Sequence, residues 1–279
     1  MSSTMDKKSI SNNELNAEAI ASVLTAHGIP DCRVYVYDTV DSTQDIGKAL
    51  ARSNELRSLP KERTLSGPFL ITADSQTKGR GRYGRSFYSP HATGIYMSLV
   101  ISVEKPFSDF LSITTAAAVA VCRVIERHSH RKPGIKWVND VWFDGKKACG
   151  ILTEAVTNAE NGLCKYVIIG IGMNLSTKDF PKELSDIAFS IDDMDIERNE
   201  LIGEIASEVL KVSEDPCSDE LFYEYKDRSL ILGREVWWME GDKRRTGTAI
   251  DINRSGNLVV RTGEDIVKLS SGDVSVRPL

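Results

Sequence analysis

The chain has 279 residues, 41% hydrophobic and 27% charged, a balance suited to one large globular domain or two unequal ones with a real core. Lys and Arg total 35 against 40 Asp and Glu, for a formal net charge of -5. That balance argues against wholesale nucleic-acid binding and makes any basic patch a local device.

Five widely spaced cysteines (Cys32, Cys122, Cys149, Cys164, Cys217), without a Cys-x-x-Cys pair, suggest reduced thiols in a cytoplasmic protein rather than a disulfide framework or zinc site. The first residues, to about 11, read as a disordered tail without the apolar run of a signal peptide. Leu111–Cys122 is apolar but too short and hydroxyl-rich to span a bilayer. No membrane association is expected.

Asn13–His27 reads as one amphipathic helix closed by Gly28 and Pro30. No second helix with a tight turn follows it, so a DNA-binding helix-turn-helix has no room before the first strand, Arg33–Tyr37. Asp41-Ser42-Thr43-Gln44-Asp45 opens a helix: Ser42 and Asp45 have capping-box spacing, and an N-cap is the plain reading of Ser42 and Thr43. Phe69–Ala73 and Ile95–Val103 read as buried strands of one sheet.

Between those strands lies Asp74–Pro90, with three glycines (Gly79, Gly81, Gly84) and four cations (Lys78, Arg80, Arg82, Arg85). Alternating Gly and Arg suits a loop that wraps an anion, because glycine allows close backbone approach and guanidinium donates in a planar fork. The spacing fits a dinucleotide fingerprint and nearly fits a P-loop, yet both demand a helix immediately afterwards. Phe87-Tyr-Ser-Pro90 is a poor helix start. Taken alone, a solvated basic loop is the plainer reading.

Leu111–His128 is a buried helix, and His128 and His130 at its end suit the helix dipole better than a metal. Ile135–Phe143 reads as a strand leading through the turn Asp144-Gly145 into a second strand, Lys146–Glu154. Lys136, Asp140 and Lys147 sit in apolar runs; each alone reads as an exposed edge charge, and inward charges would need partners. Cys149 reads as a small buried apolar residue. Tyr166–Leu175 is a buried strand broken by Gly170 and Gly172, a pattern of close backbone approach.

Asp179–Asp195 is irregular and acidic, and Glu197–Val212 and Ser218–Ser229 read as helices separated by Pro216. After Gly233, turns at Glu240-Gly-Asp242, Arg254-Ser-Gly256, Thr262-Gly-Glu264 and Ser271-Gly-Asp273 punctuate short β-rich runs. They predict a small five-stranded barrel.

Five ordered motifs resemble the biotin protein ligases, biotin-[acetyl-CoA-carboxylase] ligases, over about residues 33 to 279. They are Asp41-Ser-Thr43, Gln76-x-x-Gly-Arg-Gly-Arg-x-Gly-Arg85, Lys136-Trp-x-Asn-Asp140, Lys147-x-x-Gly150-Ile-Leu-x-Glu154 and Gly170-x-Gly-x-Asn174. The ending Leu269–Arg277 resembles the family's SH3-like barrel. The resemblance implies an α+β fold, a mixed β-sheet flanked by helices of the class II aminoacyl-tRNA-synthetase-like kind. It divides the chain into an N-terminal tail and helix (1–32), a catalytic domain (33–232) and the barrel (233–279).

The resemblance also implies the chemistry. Biotin carboxylate attacks the α-phosphate of MgATP to give biotinyl-5′-AMP, and a lysine of a biotin carboxyl carrier protein then takes the biotinyl group. It places Lys147 between carboxylate and α-phosphate, Arg82 and Arg85 on the phosphates, and Asp140 on the incoming amine. Ser42, Thr43 and Gln76, with Gly79 and the Arg80 backbone, fall to the ureido ring, and Gly150 makes room for the biotin chain. Asn139 and Asn174 fall to the nucleotide and Phe87 to adenine; Mg2+ is expected on the phosphates, with no protein ligand assigned.

The family usually has Pro at Val138, Asn at Gln44 and Trp at Phe87. A lipoate or octanoyl ligase shares the fold and acyl-adenylate chemistry, but Gln76 and the Gly-Arg spacing favour biotin. A biotin-responsive repressor is a further alternative, disfavoured by the single helix before the first strand. The family includes monomers and homodimers.

Overall fold

Two β-sheets organise the chain in a computed structural model, which describes residues 14–52, 67–105, 110–157, 163–270 and 277–278. The predicted tail and residues 271–276, with the turn at Ser271-Gly-Asp273, lie outside the described residues. The elements are α1 (Ala17–Ala26), β1 (Arg33–Val40), α2 (Thr43–Arg52), β2 (Phe69–Gln76), β3 (Gly94–Lys105), α3 (Phe110–His128), β4 (Gly134–Lys136), β5 (Asp140–Phe143), β6 (Lys146–Thr157), β7 (Cys164–Asn174), α4 (Arg198–Glu214) and α5 (Asp219–Asp227). A second set follows: β8 (Glu235–Glu240), β9 (Lys243–Ile252), β10 (Leu258–Thr262), β11 (Asp265–Leu269) and β12 (Arg277–Pro278).

The large sheet has the order β1-β2-β3-β7-β6-β5-β4. β1 and β2 pair in parallel and the other neighbours antiparallel, so the expected mixed sheet is present. Because alternate side chains face opposite sides of a strand, the sheet buries two apolar faces. Leu70, Leu99 and Ile169 join the core with α1, α3 and α4, while Phe69, Ile71, Val100 and Ile168 pack with Ala51 of α2.

α1 starts at Ala17, later than the expected Asn13, because the Asn16 side chain accepts from Ala19 N at 2.9 Å and caps the helix there. The predicted capping box at α2 does not form. Ser42 Oγ is buried without a partner, and the Asp45 carboxylate accepts from Arg80 Nε at 2.9 Å instead.

Ile135–Phe143 is two short strands rather than the expected one, since Lys136 pairs directly with Asp140 across a tight turn. Two long-range bonds hold that turn. Tyr225 Oη donates to Val138 O at 3.0 Å and Trp137 Nε1 to Gly256 O at 2.9 Å. The Trp137–Val138 peptide is cis. Lys136 finds its partner within the hairpin, its Nζ lying 4.3 Å from the Trp142 ring centroid.

The C-terminal strands form an antiparallel sheet, order β11-β10-β9-β8-β12. Its turns carry Gly241, Gly256 and Gly263 at φ 58, 73 and 65, a region that glycine enters without steric cost. The sheet seats on α5 through Arg254–Asp219 and Lys226–Asp251, both 2.5 Å, with Arg254 also 4.2 Å from the Phe222 ring centroid.

One buried charge was not legible in sequence. Arg198, the first residue of α4, ion-pairs with Asp74 at the end of β2 and donates from Nε to Gly94 O at 3.0 Å. Both ends of the Gly/Arg loop are thereby pinned to one guanidinium. Arg198→Met leaves Asp74 buried and unpaired, and the loss of stability in urea denaturation is expected to be about 3–5 kcal/mol. A loss below about 1 kcal/mol would show that the pair is not needed.

Burial pushes the Cys32 and Cys149 thiols up to about 12 and Cys122 further up, while Cys217 is exposed. Thiolate is the reactive form, so iodoacetamide is expected to label Cys217 in the native protein and the buried thiols only after denaturation. Peptide mapping at mildly alkaline pH checks this, and rapid native labelling of Cys149 would contradict it.

Candidate active site

The site lies on the α2 face of the large sheet, where three glycines replace side chains. Gly150 of β6 pairs with Gly172 of β7, and Gly170 stands two residues before Gly172 on the same face. A different group lies over each. A Cβ at Gly150 would sit 2.7 Å from Lys147 Nζ, one at Gly172 2.7 Å from the Phe87 ring, and one at Gly170 2.5 Å from Gln44 Oε1.

Lys147 reaches this face through a bulge. Val141 pairs with Cys149 but the next residue, Trp142, pairs with Lys147, so Ala148 is the extra residue and the side-chain alternation flips. Ala148 and Cys149 are accordingly both buried, whereas Lys147 is half-buried. Its Nζ crosses Gly150 to meet Asp140 Oδ1 at 2.7 Å. The two groups expected in the two half-reactions are thus ion-paired.

The Gly/Arg loop covers the same face. It folds back through an Arg80–Ser86 bridge, Gly81 N donating to Arg85 O at 2.7 Å, and a short 3-10 turn over Arg82–Gly84. From Ser75 to Pro90 the loop lacks acidic residues, which predicts self-repulsion, but Asp41 and Asp45 around the start of α2 supply counter-charges. Lys78 pairs with Asp41 at 2.8 Å and Arg80 with Asp45 at 2.9 Å. Lys78 and Thr77 beside Asp41 hold its carboxyl below the usual range.

Arg82 turns inward, donating to Asn139 Oδ1 at 3.3 Å, and Asn139 Nδ2 donates to Ile151 O at 2.5 Å. Asn139 therefore couples loop to sheet. Arg85 is exposed, and the Arg80 side chain lies outside on Asp45, leaving its backbone as the part that faces inward roles. Gly79 allows a close approach, for a Cβ there would meet Phe87 O at 2.4 Å and Gln76 Nε2 at 3.1 Å. Phe87 also packs edge-on to Tyr96, with centroids 6.4 Å apart.

At the far end from Lys147 the site is polar and uncharged. Thr43 N donates to Gln76 Oε1 at 2.9 Å, Gln76 Nε2 donates to Ser89 Oγ at 2.9 Å, and Thr43 Oγ1 lies 2.9 Å from Ser98 Oγ. Ser42 Oγ, buried and without a partner, adjoins them. An orphaned buried hydroxyl costs free energy unless something binds it. Ser89 and Ser98 were missed as site residues. Ser98, the one polar residue in the run Ile95–Ile101, carried a readable signal; Ser89 carried none.

Asn174 is brought near the site but its amide is engaged. Its Nδ2 donates to Phe189 O at 3.3 Å, helping to hold a segment that pairs with Lys147 through Lys147 N to Ile187 O and Phe189 N to Lys147 O, both 2.8 Å.

Metal-binding groups are sparse. Asp140, the carboxylate among the expected site residues, is taken by Lys147. Among the described residues a cluster able to share a metal is Asp38, Asp74 and His91, where Arg198 already neutralises Asp74. The donor set suits anions and does not fit a protein-held metal ion.

Comparison with known proteins agrees with this geometry. Residues 39–174 match the Biotin/lipoate A/B protein ligase family and residues 231–277 the Biotin protein ligase C terminal domain. The bifunctional ligase/repressor BirA of Bacillus spizizenii is 34% identical over 253 residues, covering 86% of this chain and 72% of the relative. The biotin–[acetyl-CoA-carboxylase] ligase of Mycobacterium tuberculosis is 29% identical over 217 residues, 74% of this chain and 77% of the relative. Among solved structures, the biotin protein ligase of Aquifex aeolicus in complex with biotin and ATP is similar with a TM-score of 0.68 and 27% identity, covering 88% of this chain and 99% of that one. With its catalytic sheet, its C-terminal module and this degree of identity, the chain belongs to the biotin protein ligase family.

Proposed function

We propose that the protein activates biotin with ATP as biotinyl-5′-AMP and transfers it to a lysine of a biotin carboxyl carrier protein. The observation that carries this reading is the Lys147–Asp140 pair lying over Gly150, because it places a cation and a carboxylate at one point of an otherwise anion-receptive face. Residues 33–232 would form the catalytic unit and 233–279 the C-terminal one. The buried thiols fit a reducing, cytoplasmic setting.

In the first step a carboxylate oxygen of biotin attacks the α-phosphorus and the bond to pyrophosphate breaks. Both reactants are anionic, so fixed positive charge is needed where charge builds up. Lys147 supplies it by leaving Asp140 for the reacting oxygens, with Arg82, held by Asn139, on the phosphates and Arg85 free to join them from the surface. Phe87 offers a ring face to adenine. The uncharged Thr43, Gln76 and Ser42 groups receive the ureido ring. Mg2+ enters as the counter-ion of ATP, and no protein ligand or step is assigned to it.

In the second step the carrier lysine nitrogen attacks the acyl carbon, the carbon–oxygen bond to AMP breaks, and the amine gives up a proton. Asp140, released from Lys147, is placed to orient the amine and accept that proton. No enzyme nucleophile is required.

Two substitutions separate the steps. Lys147→Met is expected to slow adenylate formation about 10²- to 10³-fold, measured by pyrophosphate release with biotin and ATP. Asp140→Asn is expected to slow transfer from preformed biotinyl-5′-AMP to a carrier domain; transfer at the wild-type rate would remove Asp140 from the reaction. Lipoate in place of biotin is the control, and a folded protein that labels the carrier with lipoate alone would overturn the biotin reading.

A further inference from the structure

We propose that Tyr225 and Trp137 are positioning residues for the transfer step, holding the turn that carries Asp140 so that its carboxylate keeps its place when Lys147 leaves it. This inference rests on the biotin ligase reading.

The turn joins β4 to β5 through Trp137, Val138 and Asn139, and each of the three is tied to a different element. Trp137 Nε1 donates to Gly256 O at 2.9 Å, and Tyr225 Oη of α5 donates to Val138 O at 3.0 Å. Asn139 is tied to β6, where Ile151 N donates to its carbonyl at 3.0 Å and its own Nδ2 donates to Ile151 O at 2.5 Å. Tyr225 is 2% exposed and Val138 1%. A carbonyl buried in this way has no water to replace a lost donor.

The anchors are themselves fixed. Gly256 sits in a turn closed by Gly256 N to Asn253 O at 2.8 Å and by Asn257 N to Asn253 Oδ1 at 2.9 Å. Burial pushes the Tyr225 phenol up, so its proton stays in place to donate throughout the working range of pH.

None of these bonds runs through Lys147. That lysine is a flexible four-carbon stem on a backbone held by Ile187 and Phe189, so its charge can swing from Asp140 to a reacting carboxylate without pulling on the turn. Asp140 has a short side chain, and its carboxylate stays where the turn puts it. The first step needs the lysine to move, whereas the second needs a carboxylate still within reach of an incoming amine. One member of the pair is therefore mobile and the other fixed, and the anchoring lies on the fixed side. Tyr225 and Trp137 act through the backbone.

The test follows the two half-reactions separately in the full-length protein. Tyr225→Phe deletes one oxygen and leaves Val138 O without its donor, and Trp137→Phe deletes the indole donor. Each is expected to slow transfer from preformed biotinyl-5′-AMP to a saturating carrier domain about 10- to 100-fold, with pyrophosphate release from biotin and ATP kept within about twofold of wild type. The first step is spared because Asn139, which holds Arg82, keeps its own bonds to β6. The decisive background is Asp140→Asn, which removes the group being positioned: adding Tyr225→Phe or Trp137→Phe there is expected to slow transfer no further. Equal slowing of both half-reactions, or slowing that persists in the Asp140→Asn background, would reduce the anchors to general stability and overturn the inference. Transfer at the wild-type rate in both folded single variants, or in Asp140→Asn itself, would overturn it too. Where one single variant does not fold, the other decides. A wild type that releases no pyrophosphate with biotin and ATP would instead overturn the ligase reading, a result obtained before any variant is compared.

Discussion

A lysine half-buried on a sheet face must be neutralised, and the Asp140 carboxylate at 2.7 Å neutralises Lys147. Much of the local architecture follows from that need. The lysine comes from one strand and the aspartate from the next, and in a regular ladder Lys147 would face away from Gly150. The bulge at Ala148 turns it round, Gly150 clears its path, and the tight turn fixed by Trp137 and Tyr225 brings Asp140 directly opposite Gly150. The pair is partly exposed, so its free energy is modest. A modest pair is one that an incoming carboxylate can exchange with.

The second constraint is how the loop is held. Arg198 pins Asp74 and Gly94, the residues on either side of the loop, into the core, while within the loop the contacts are surface pairs and backbone turns, apart from Arg82 on Asn139 and the Phe87 ring over Gly172. With the ends fixed in the core, the exposed pairs of Lys78 and Arg80 can exchange partners without disturbing the sheet. The glycine-floored half of the α2 face and the apolar half, where Ile168 and Val100 pack on Ala51, are successive stretches of the same strands. Glycines at 170 and 172 of β7 leave that half of the face without the side chains that fill the other half.

The motifs were legible because their chemistry is local: Gly with Arg in one loop, Asp144-Gly145 at a turn, glycines inside a strand. Helices α3, α4 and α5 and the β-rich ending followed from periodicity and turn residues. What sequence concealed depends on partners far along the chain. The Ala148 bulge is invisible where two small apolar residues follow a lysine in either register. The split of Ile135–Phe143 depends on Tyr225 and Gly256, roughly a hundred residues on, and Ser42 looked like a cap because its spacing to Asp45 is right, although Arg80 takes the carboxylate. Arg198 reads as the exposed start of a helix and is the most buried arginine-carboxylate contact described.

The site thus has two ends that work by different physics. On the proposed reading, Lys147, Arg82 and Arg85 would recognise their ligands by charge, which is strong but weakly directional and so tolerates the motion that two successive reactions demand. At Thr43, Gln76 and Ser98 there is no net charge, and selectivity has to come from the sense of each hydrogen bond. A hydroxyl can rotate, so it discriminates poorly unless its proton is committed elsewhere. Committing it requires a group whose own orientation is fixed by the backbone. Gln76 Oε1, held at 2.9 Å by the Thr43 backbone amide and lying 3.2 Å from the Thr43 hydroxyl, meets that requirement.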